Sequence, residues 1–431
     1  MRHWKSIGNL SFLWVVVIFT VTLFLPIAQP AAAQDIVVCP GFTAEDEIDI
    51  YHEVDFAESI VFHVCWHNVP EVLEATLVIE SDVFQQPIER SVDAHPNAKE
   101  GDLINLNYPL DLGATLIPAF VTLEYTWTLH FLTEPPRVQE SQTIHYIDDS
   151  VLWTKTSSDD GTLHVHTAPG DGEVAQIALD IAQASRLEIS NLLPMTSATF
   201  DPIDLYLYPD VETFQSTLRL TGLDWVAGKA SPEIGAMMVP ISNRASMAED
   251  LGQRIPHELS HLLLYRAAGD HYASIPAWLD EGLATQFEQP VNSNYAESIA
   301  NVNNSTQLIP FKEMCVNLPA SPPEMALRGY AQSHALVEYM LRTYGHEAID
   351  AILKAAKAGE QCEDTLVNAI GLEKSGDQLA EEWLSSLQPD FFDLRSPLWI
   401  GLAFILGTFL IVILVLWGRT DGTRTIKDYN R

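Results

Sequence analysis

Two histidines four residues apart, His257 and His261, need an α-helix between them if they are to bind one metal ion together. Positions i and i+4 lie one above the other on the same helix face, and Glu258 projects from nearly that face. Zinc lowers the pKa of a water that it binds to about 7, and a neighbouring carboxylate can then take the proton. The segment His257-Glu258-Leu259-Ser260-His261 therefore predicts a helix that carries part of a catalytic zinc site, although the same pattern also arises by chance.

A catalytic zinc usually has three protein ligands, so a third ligand is needed. Glu281 lies 20 residues after His261, far enough for one helix to end and a second to face it. Pro276 predicts the start of that second helix. Asp280 is one residue off the expected face, and His271 follows His261 by ten residues. All three remain candidates at this point.

The metzincin pattern is absent from this chain. That pattern needs a glycine three residues after the second histidine and a third histidine six residues after it. Leu264 and Ala267 occupy those two positions. The site must therefore be of another kind.

The sequence HELSH at 257–261, followed by WLDEGLA at 278–284, resembles the gluzincin peptidases and, more narrowly, the peptidase MA-like domains of exported bacterial proteins. The resemblance covers about Leu163 to Leu387. It implies Zn²⁺ as cofactor, a peptide or protein substrate, Glu281 as third ligand and Glu258 as general base. A β-sandwich often precedes such domains, and the upstream segment resembles one.

A further donor to the developing oxyanion is commonly needed in such hydrolysis. The resemblance implies Tyr330 for this role, because related domains place a tyrosine on a later helix. His334 would lie one turn further along the same face. The alternative for Tyr330 is a packing role.

Pro256 stands directly before His257, and a proline inside a helix removes a hydrogen bond and clashes with the preceding turn. Either the motif helix begins near Arg254 or it is kinked there. Since proline is tolerated in a first helical turn, we expect the late start with an intact site.

Residues 226–241 predict an exposed strand or hairpin that contains Gly228 and Gly235. In gluzincins an edge strand beside the cleft pairs with the substrate backbone, and glycine permits a close approach. An ordinary hairpin with glycine turns explains the pattern equally well.

The two ends of the chain carry apolar segments. Residues 1–33 predict a signal peptide, with Arg2 and Lys5, an apolar run and the small residues Ala31–Ala33; an uncleaved anchor is the alternative. Residues 398–417 lack any charge and match the roughly 20 residues that cross a bilayer. The basic tail, 418–431, should stay cytoplasmic. We therefore expect a single-pass protein of the cell membrane with extracytoplasmic N-terminal domains.

The cysteines and the charge agree with export. Cys39, Cys65, Cys315 and Cys362 all lie in the exported part, and proximity favours disulfides Cys39–Cys65 and Cys315–Cys362.

The chain has 23 basic and 58 acidic residues and a formal net charge of −35. Because such a surface repels phosphate groups, nucleic acid is not expected as a partner.

The expected fold class is α+β. Residues 34–150 alternate β-branched and aromatic residues between turns, which predicts an antiparallel β-sandwich of immunoglobulin-like kind. Residues 151–390 predict a gluzincin-like α+β domain with strands first and helices after, followed by the membrane helix. Together these observations predict a membrane-anchored zinc metallopeptidase. The alternative is a non-catalytic surface binding protein with a peptidase-like scaffold.

Overall fold

A computed structural model describes residues 39–40, 48–67, 69–94, 103–193, 201–218, 227–300, 302, 307–362, 375–387 and 397–421. The predicted signal peptide and most of the predicted cytoplasmic tail lie outside these ranges. Within them, antiparallel sheets come first and a mixed sheet with helices follows, which confirms the α+β class.

Two antiparallel sheets form the N-terminal part. Their strands are β1 (Ile48–Asp55), β2 (Ser59–Trp66), β3 (Val72–Glu80), β4 (Ile88–Asp93), β5 (Ile104–Asp111), β6 (Val121–Phe131), β7 (Arg137–Val138) and β8 (Gln142–Tyr146). One sheet has the order β1-β2-β5, and the other has the order β4-β3-β6 with β7 and β8 both paired to β6.

The inner faces of the two sheets share one hydrophobic core. Strand β6 alternates buried and more exposed residues, as expected of a strand with one face against a core. Phe62 and Tyr125, from opposite sheets, meet edge to face with ring centroids 4.9 Å apart. His63 stacks on Tyr51 at 4.3 Å, so its role is packing. This is a sandwich arrangement, whereas its immunoglobulin-like topology stays a prediction.

A five-stranded mixed sheet begins the second part. It contains β9 (Thr154–Ser157), β10 (Leu163–Thr167), β11 (Ile203–Tyr208), β12 (Lys229–Ser231) and β13 (Ala236–Pro240). The order is β12-β13-β11-β10-β9, in which β10, β11 and β13 are parallel and the two edge strands antiparallel. Parallel neighbours need crossover connections, which here contain α1 (Gly172–Leu192) and α2 (Val211–Leu218).

The remaining helices cover the rest of the described chain. They are α3 (Met247–Ala268), α4 (Ala277–Gln286), α5 (Ser293–Ala300), α6 (Phe311–Val316), α7 (Pro323–Tyr344), α8 (His346–Lys357), α9 (Gly376–Leu387) and α10 (Pro397–Asp421). Helices α1, α3, α4, α7 and α8 share one hydrophobic core with the mixed sheet. Both predicted disulfides, Cys39–Cys65 and Cys315–Cys362, are present.

The predicted membrane span, residues 398–417, falls within α10. Among the helices of the described residues, none is long and apolar enough to cross a bilayer. The membrane span stays a prediction.

Helix α3 begins at Met247, so the predicted late start near Arg254 is wrong. Proline in the helix interior deprives the carbonyl four residues earlier, that of Gly252, of its helical partner. The backbone N–H of Gln289 donates to this carbonyl instead, at 2.9 Å. A hydrogen bond from outside the helix thus lets α3 continue through Pro256.

Asp148, shortly after the end of β8, joins the N-terminal sheets to the mixed sheet. Its carboxylate is fully buried and accepts hydrogen bonds from Tyr208 Oη at 2.9 Å and from Thr217 Oγ1 at 2.6 Å. Ser150 donates to the other carboxylate oxygen through its backbone N–H and hydroxyl. One side chain therefore satisfies polar groups of β11, of α2 and of its own turn.

Replacing Asp148 by alanine should destabilise the protein strongly. The buried Tyr208 hydroxyl would lose its acceptor and Thr217 would keep only its longer hydrogen bond to the Thr213 carbonyl. An unsatisfied buried polar group costs about 1–3 kcal/mol. We expect the free energy of unfolding in urea to fall by about 2–5 kcal/mol. Asp149→Ala is the matched control, because Asp149 is exposed and should change stability by less than about 0.5 kcal/mol. Equal stability of the two variants would contradict this account.

Candidate metal centre

The motif residues lie where three helices meet. His257 and His261 are on α3, Glu281 is on α4, and Tyr330 is on α7. Helices α4 and α7 approach closely because of Gly282: a Cβ there would lie 2.5 Å from a side-chain methyl of α7 and 2.7 Å from a backbone oxygen. The close contact brings the later residues of the chain to the face of α3 that carries the histidines.

The three expected ligands converge. Nε2 of His257 lies 3.4 Å from Oε2 of Glu281, and Nε2 of His261 lies 3.6 Å from the same oxygen. A tetrahedral zinc ion with ligands about 2.0–2.2 Å away would place neighbouring ligand atoms about 3.3–3.6 Å apart. Oε2 of Glu281 is buried and has no hydrogen-bond partner. The spacing and this unsatisfied oxygen both fit a bound metal cation, and no other such cluster occurs within the described residues.

A carboxylate holds each imidazole from the other side of its ring. Nδ1 of His257 lies 3.0 Å from Oε1 of Glu288, and Nδ1 of His261 lies 2.6 Å from Oδ1 of Asp280. A carboxylate on the second ring nitrogen fixes the orientation of a metal-binding histidine and raises its basicity. Each histidine thus presents Nε2 to the common point.

These two carboxylates have donors of their own. Tyr295 donates its hydroxyl to Oε1 of Glu288 at 2.8 Å. Tyr272 donates its hydroxyl to Oδ2 of Asp280 at 2.7 Å. Carboxylates that accept several hydrogen bonds are held in place, so the two imidazoles are held in fixed orientations.

The electrostatics of the centre favour positive charge. Burial lowers the pKa of His257, but its contacts with Glu281 and Glu288 outweigh burial and raise the pKa well above its usual value. Burial likewise lowers the pKa of His261, whereas the negative charges of Asp280 and Glu281 raise it to about 9. A bound divalent cation would balance the same excess of negative charge, and both imidazoles would then be neutral.

Glu258 points into a cleft of about 410 Å³ beside the ligands. It is 8% exposed, and burial raises the pKa of its carboxyl group. Gly228 lies directly against this carboxylate: a Cβ there would lie 2.6 Å from Oε1 of Glu258. Arg254 donates to the carbonyl of Ala227 at 2.9 Å and so holds this segment against α3.

Of the exposed strand or hairpin predicted for residues 226–241, the described part is a hairpin whose edge strand is β12, whereas β13 is buried and not exposed. Strand β12 pairs antiparallel with β13, and a left-handed Gly235 helps to turn the chain between them. Gly228 comes directly before β12 and also lines the cleft. The hairpin and the close approach of glycine to the site are thus both present.

Tyr330 joins the centre, whereas His334 does not. The rings of Tyr330 and His257 lie 6.2 Å apart, and Tyr330 lines the same cleft as Glu258. The negative charge of Glu281, followed by burial, raises the pKa of Tyr330, so its hydroxyl keeps its proton. His334 contacts Gln286 through Nδ1 at 3.0 Å and lines a neighbouring cavity of about 750 Å³.

The two rejected ligand candidates have different positions. His271 is exposed in a short 3₁₀ turn, Gly269–Ser274, and is not part of the cluster. Asp280 orients His261. Glu288 escaped the sequence analysis because α4 ends at Gln286, so helical spacing from Glu281 does not extend to it. The sequence signal that could have indicated this role of Asp280 is its position directly before Glu281.

Comparison with known proteins finds one family match for this part of the chain. Residues 186–389 match the family model described as Peptidase MA superfamily, which confirms the resemblance predicted from the two motifs. This match includes α3, α4 and α7. No curated protein matches the chain.

Solved structures show only distant similarity. A Bacteroides uniformis beta-glucuronidase 2, covalently bound to cyclophellitol-6-carboxylate aziridine, matches with 10% identity and a TM-score of 0.16, over 51% of this chain and 32% of that one. A putative beta-galactosidase from Bacteroides fragilis matches with 12% identity and a TM-score of 0.15, over 57% and 37% of the two chains. This chain thus spans only about a third of their length, and scores this low support no inference about fold or activity.

Proposed function

Since residues 186–389 match the Peptidase MA superfamily model, we propose that the protein is a zinc-dependent peptidase. The observation that carries the proposal is the convergence of His257, His261 and Glu281 on one point, with a buried Glu281 oxygen that has no hydrogen-bond partner. The two histidines and Glu281 would hold the ion. When bound, zinc would polarise a peptide carbonyl and make water a stronger nucleophile.

Glu258 is the proposed general base. Its carboxylate is largely buried in the cleft, close to the ligands, and burial raises its pKa toward the range in which a group can both take and give a proton. It would take a proton from the attacking water and pass it to the leaving amine. The backbone at Gly228 confines the carboxylate to this place.

Tyr330 is the proposed donor to the oxyanion that develops on the substrate carbonyl. Its hydroxyl keeps its proton in the negative field of Glu281. A positioned donor in a water-poor site stabilises such charge more in the transition state than in the ground state.

The position of strand β12 supports the proposal that the substrate is a peptide in an extended conformation. It lies at the edge of the mixed sheet and pairs only with β13 among the described strands. An exposed strand edge can bind a peptide as an additional strand. This edge leads directly to Gly228 and Glu258 at the cleft.

The proposed location is the outer face of a cell membrane; the proposed anchor rests on the sequence of residues 398–417, since no described helix is long and apolar enough to span a bilayer. Residues 398–417 carry no charge, and the apolar side chains of α10 that the structure describes are exposed. Residues 388–397 connect α9 to this segment, a reach of at most about 35 Å. Substrates near the membrane surface would then be favoured.

Glu258→Gln should abolish peptidase activity while zinc stays bound, because the amide cannot accept the proton but leaves the three ligands intact. Cleavage of a peptide library by the wild-type chain, followed by mass spectrometry of the products, measures activity and shows whether cleavage is internal or terminal. Zinc content should be about one ion per chain for both proteins.

Glu249→Gln is the matched control, since Glu249 is exposed in the first turn of the same helix. It should keep full activity. Absence of zinc from the wild-type chain would refute the proposal. Zinc without any cleavage would favour the non-catalytic binding protein, and cleavage by Glu258→Gln at the wild-type rate would reject Glu258 as the base.

Tyr330→Phe should lower kcat by about 10²-fold and leave KM and zinc content nearly unchanged, because only the donor to the transition state is lost. Steady-state kinetics on a peptide found in the library would measure this. Tyr339→Phe, on the same helix but beside Tyr344 and Arg342, should have no effect. An unchanged kcat for Tyr330→Phe would leave Tyr330 with a packing role.

Removal of residues 396–431 should release the protein from membranes. Expressed in a bacterial host, the full chain should stay in the membrane pellet after alkaline carbonate washing, because about 20 apolar residues suffice to span a bilayer. The truncated chain should appear in the supernatant. Extraction of the full chain by carbonate would contradict the anchor.

A further inference from the structure

The proline inside α3 leaves one backbone carbonyl without a hydrogen-bond donor from the helix itself. In a regular helix the N–H of residue 256 would donate to the carbonyl of Gly252, but Pro256 has no N–H. A proline ring inside a helix also clashes with the carbonyl four residues earlier. The backbone N–H of Gln289 donates to it at 2.9 Å. The helix thus binds a segment from outside at the turn before the first metal ligand.

Gly252 is shaped for this contact. A Cβ at Gly252 would lie 2.4 Å from the backbone oxygen of Gln289, closer than real atoms approach. Two backbone groups of Gln289, its N–H and its carbonyl oxygen, therefore lie directly against Gly252. A side chain at position 252 would push this segment away from α3.

The residue before Gln289 is the one that orients His257. Glu288 is 6% exposed, and its Oε1 lies 3.0 Å from Nδ1 of His257. His257 follows Pro256 in the chain. A closed path thus runs from His257 through Glu288 and Gln289 to Gly252, and back along one turn of α3.

We propose that Gly252 and Pro256 are positioning residues for the metal centre, which form a backbone latch with Gln289 and so hold Glu288 against His257. The inference rests on the proposed zinc site, because a metal ion gives the orientation of His257 its use. Pro256 therefore serves the site that it stands beside.

Pro256→Ala is the most direct test, since it should stabilise helix α3 and weaken zinc binding. Alanine supplies an N–H at position 256 that would take the Gly252 carbonyl as its helical acceptor, in place of the Gln289 N–H. Zinc affinity of the full chain, measured by competition with a chromophoric chelator, should fall about 10–100-fold, as for loss of an outer contact to a ligand. The Tm of the metal-free protein should not fall, because proline is the least favourable residue in a helix interior. A merely structural role would lower the Tm and leave the affinity unchanged.

A double-mutant cycle shows whether the latch acts through Glu288. Glu288→Ala should lower zinc affinity, and Pro256→Ala should add nothing further in that background. Gly252→Ala should weaken zinc binding in the wild-type background. Gly172→Ala, where a Cβ meets no atom within 4 Å, and Pro323→Ala, in the first turn of α7, are the matched controls and should keep wild-type affinity. Additive effects, or wild-type affinity for Pro256→Ala, would overturn the latch.

Amide hydrogen exchange at Gln289 tests the latch without metal. The Gln289 amide should be protected in the metal-free wild-type chain and should exchange faster in Pro256→Ala and Gly252→Ala. Rapid exchange in the wild type would overturn the latch whether or not zinc binds. Absence of zinc from the wild type, by contrast, would refute the proposed function alone. The two failures are therefore distinguishable.

Discussion

One carboxylate oxygen constrains which kind of ligand the candidate metal centre can bind. Oε2 of Glu281 faces two imidazole nitrogens, is buried and has no hydrogen-bond partner. A buried polar atom without a partner is costly, and Glu258, Asp280 and Glu288 add further negative charge nearby. A cation at this point would remove both costs at once. The packing of α3, α4 and α7 serves to bring these groups together.

Much of the centre could be predicted because it is local. The four-residue spacing of the histidines and the helix start at Pro276 follow from helix geometry and from proline, and both hold in the structure. The sandwich strands and the disulfide pairing could likewise be read from alternation and proximity along the chain.

The features that could not be predicted from the sequence depend on contacts between residues that are distant along the chain. The start of α3 was misjudged because the partner of the Gly252 carbonyl is Gln289, 37 residues later. Glu288 was missed because it lies beyond the end of its helix, where periodicity carries no information. The parallel order of β10, β11 and β13 is likewise set by crossover packing. A proline rule applied locally cannot foresee that a loop will replace the missing hydrogen bond.

Part of the cleft wall beside Glu258 is backbone, because Gly228 leaves no room for a side chain there. A side chain at position 228 would meet the Glu258 carboxylate first, so the space around that carboxylate is limited by main chain and not by a side chain that can change rotamer. Leu327 and Tyr330 of α7 line the same cleft with side chains. The shape and polarity of the cleft can therefore change by substitution on its helical side, whereas the backbone beside Glu258 stays the same.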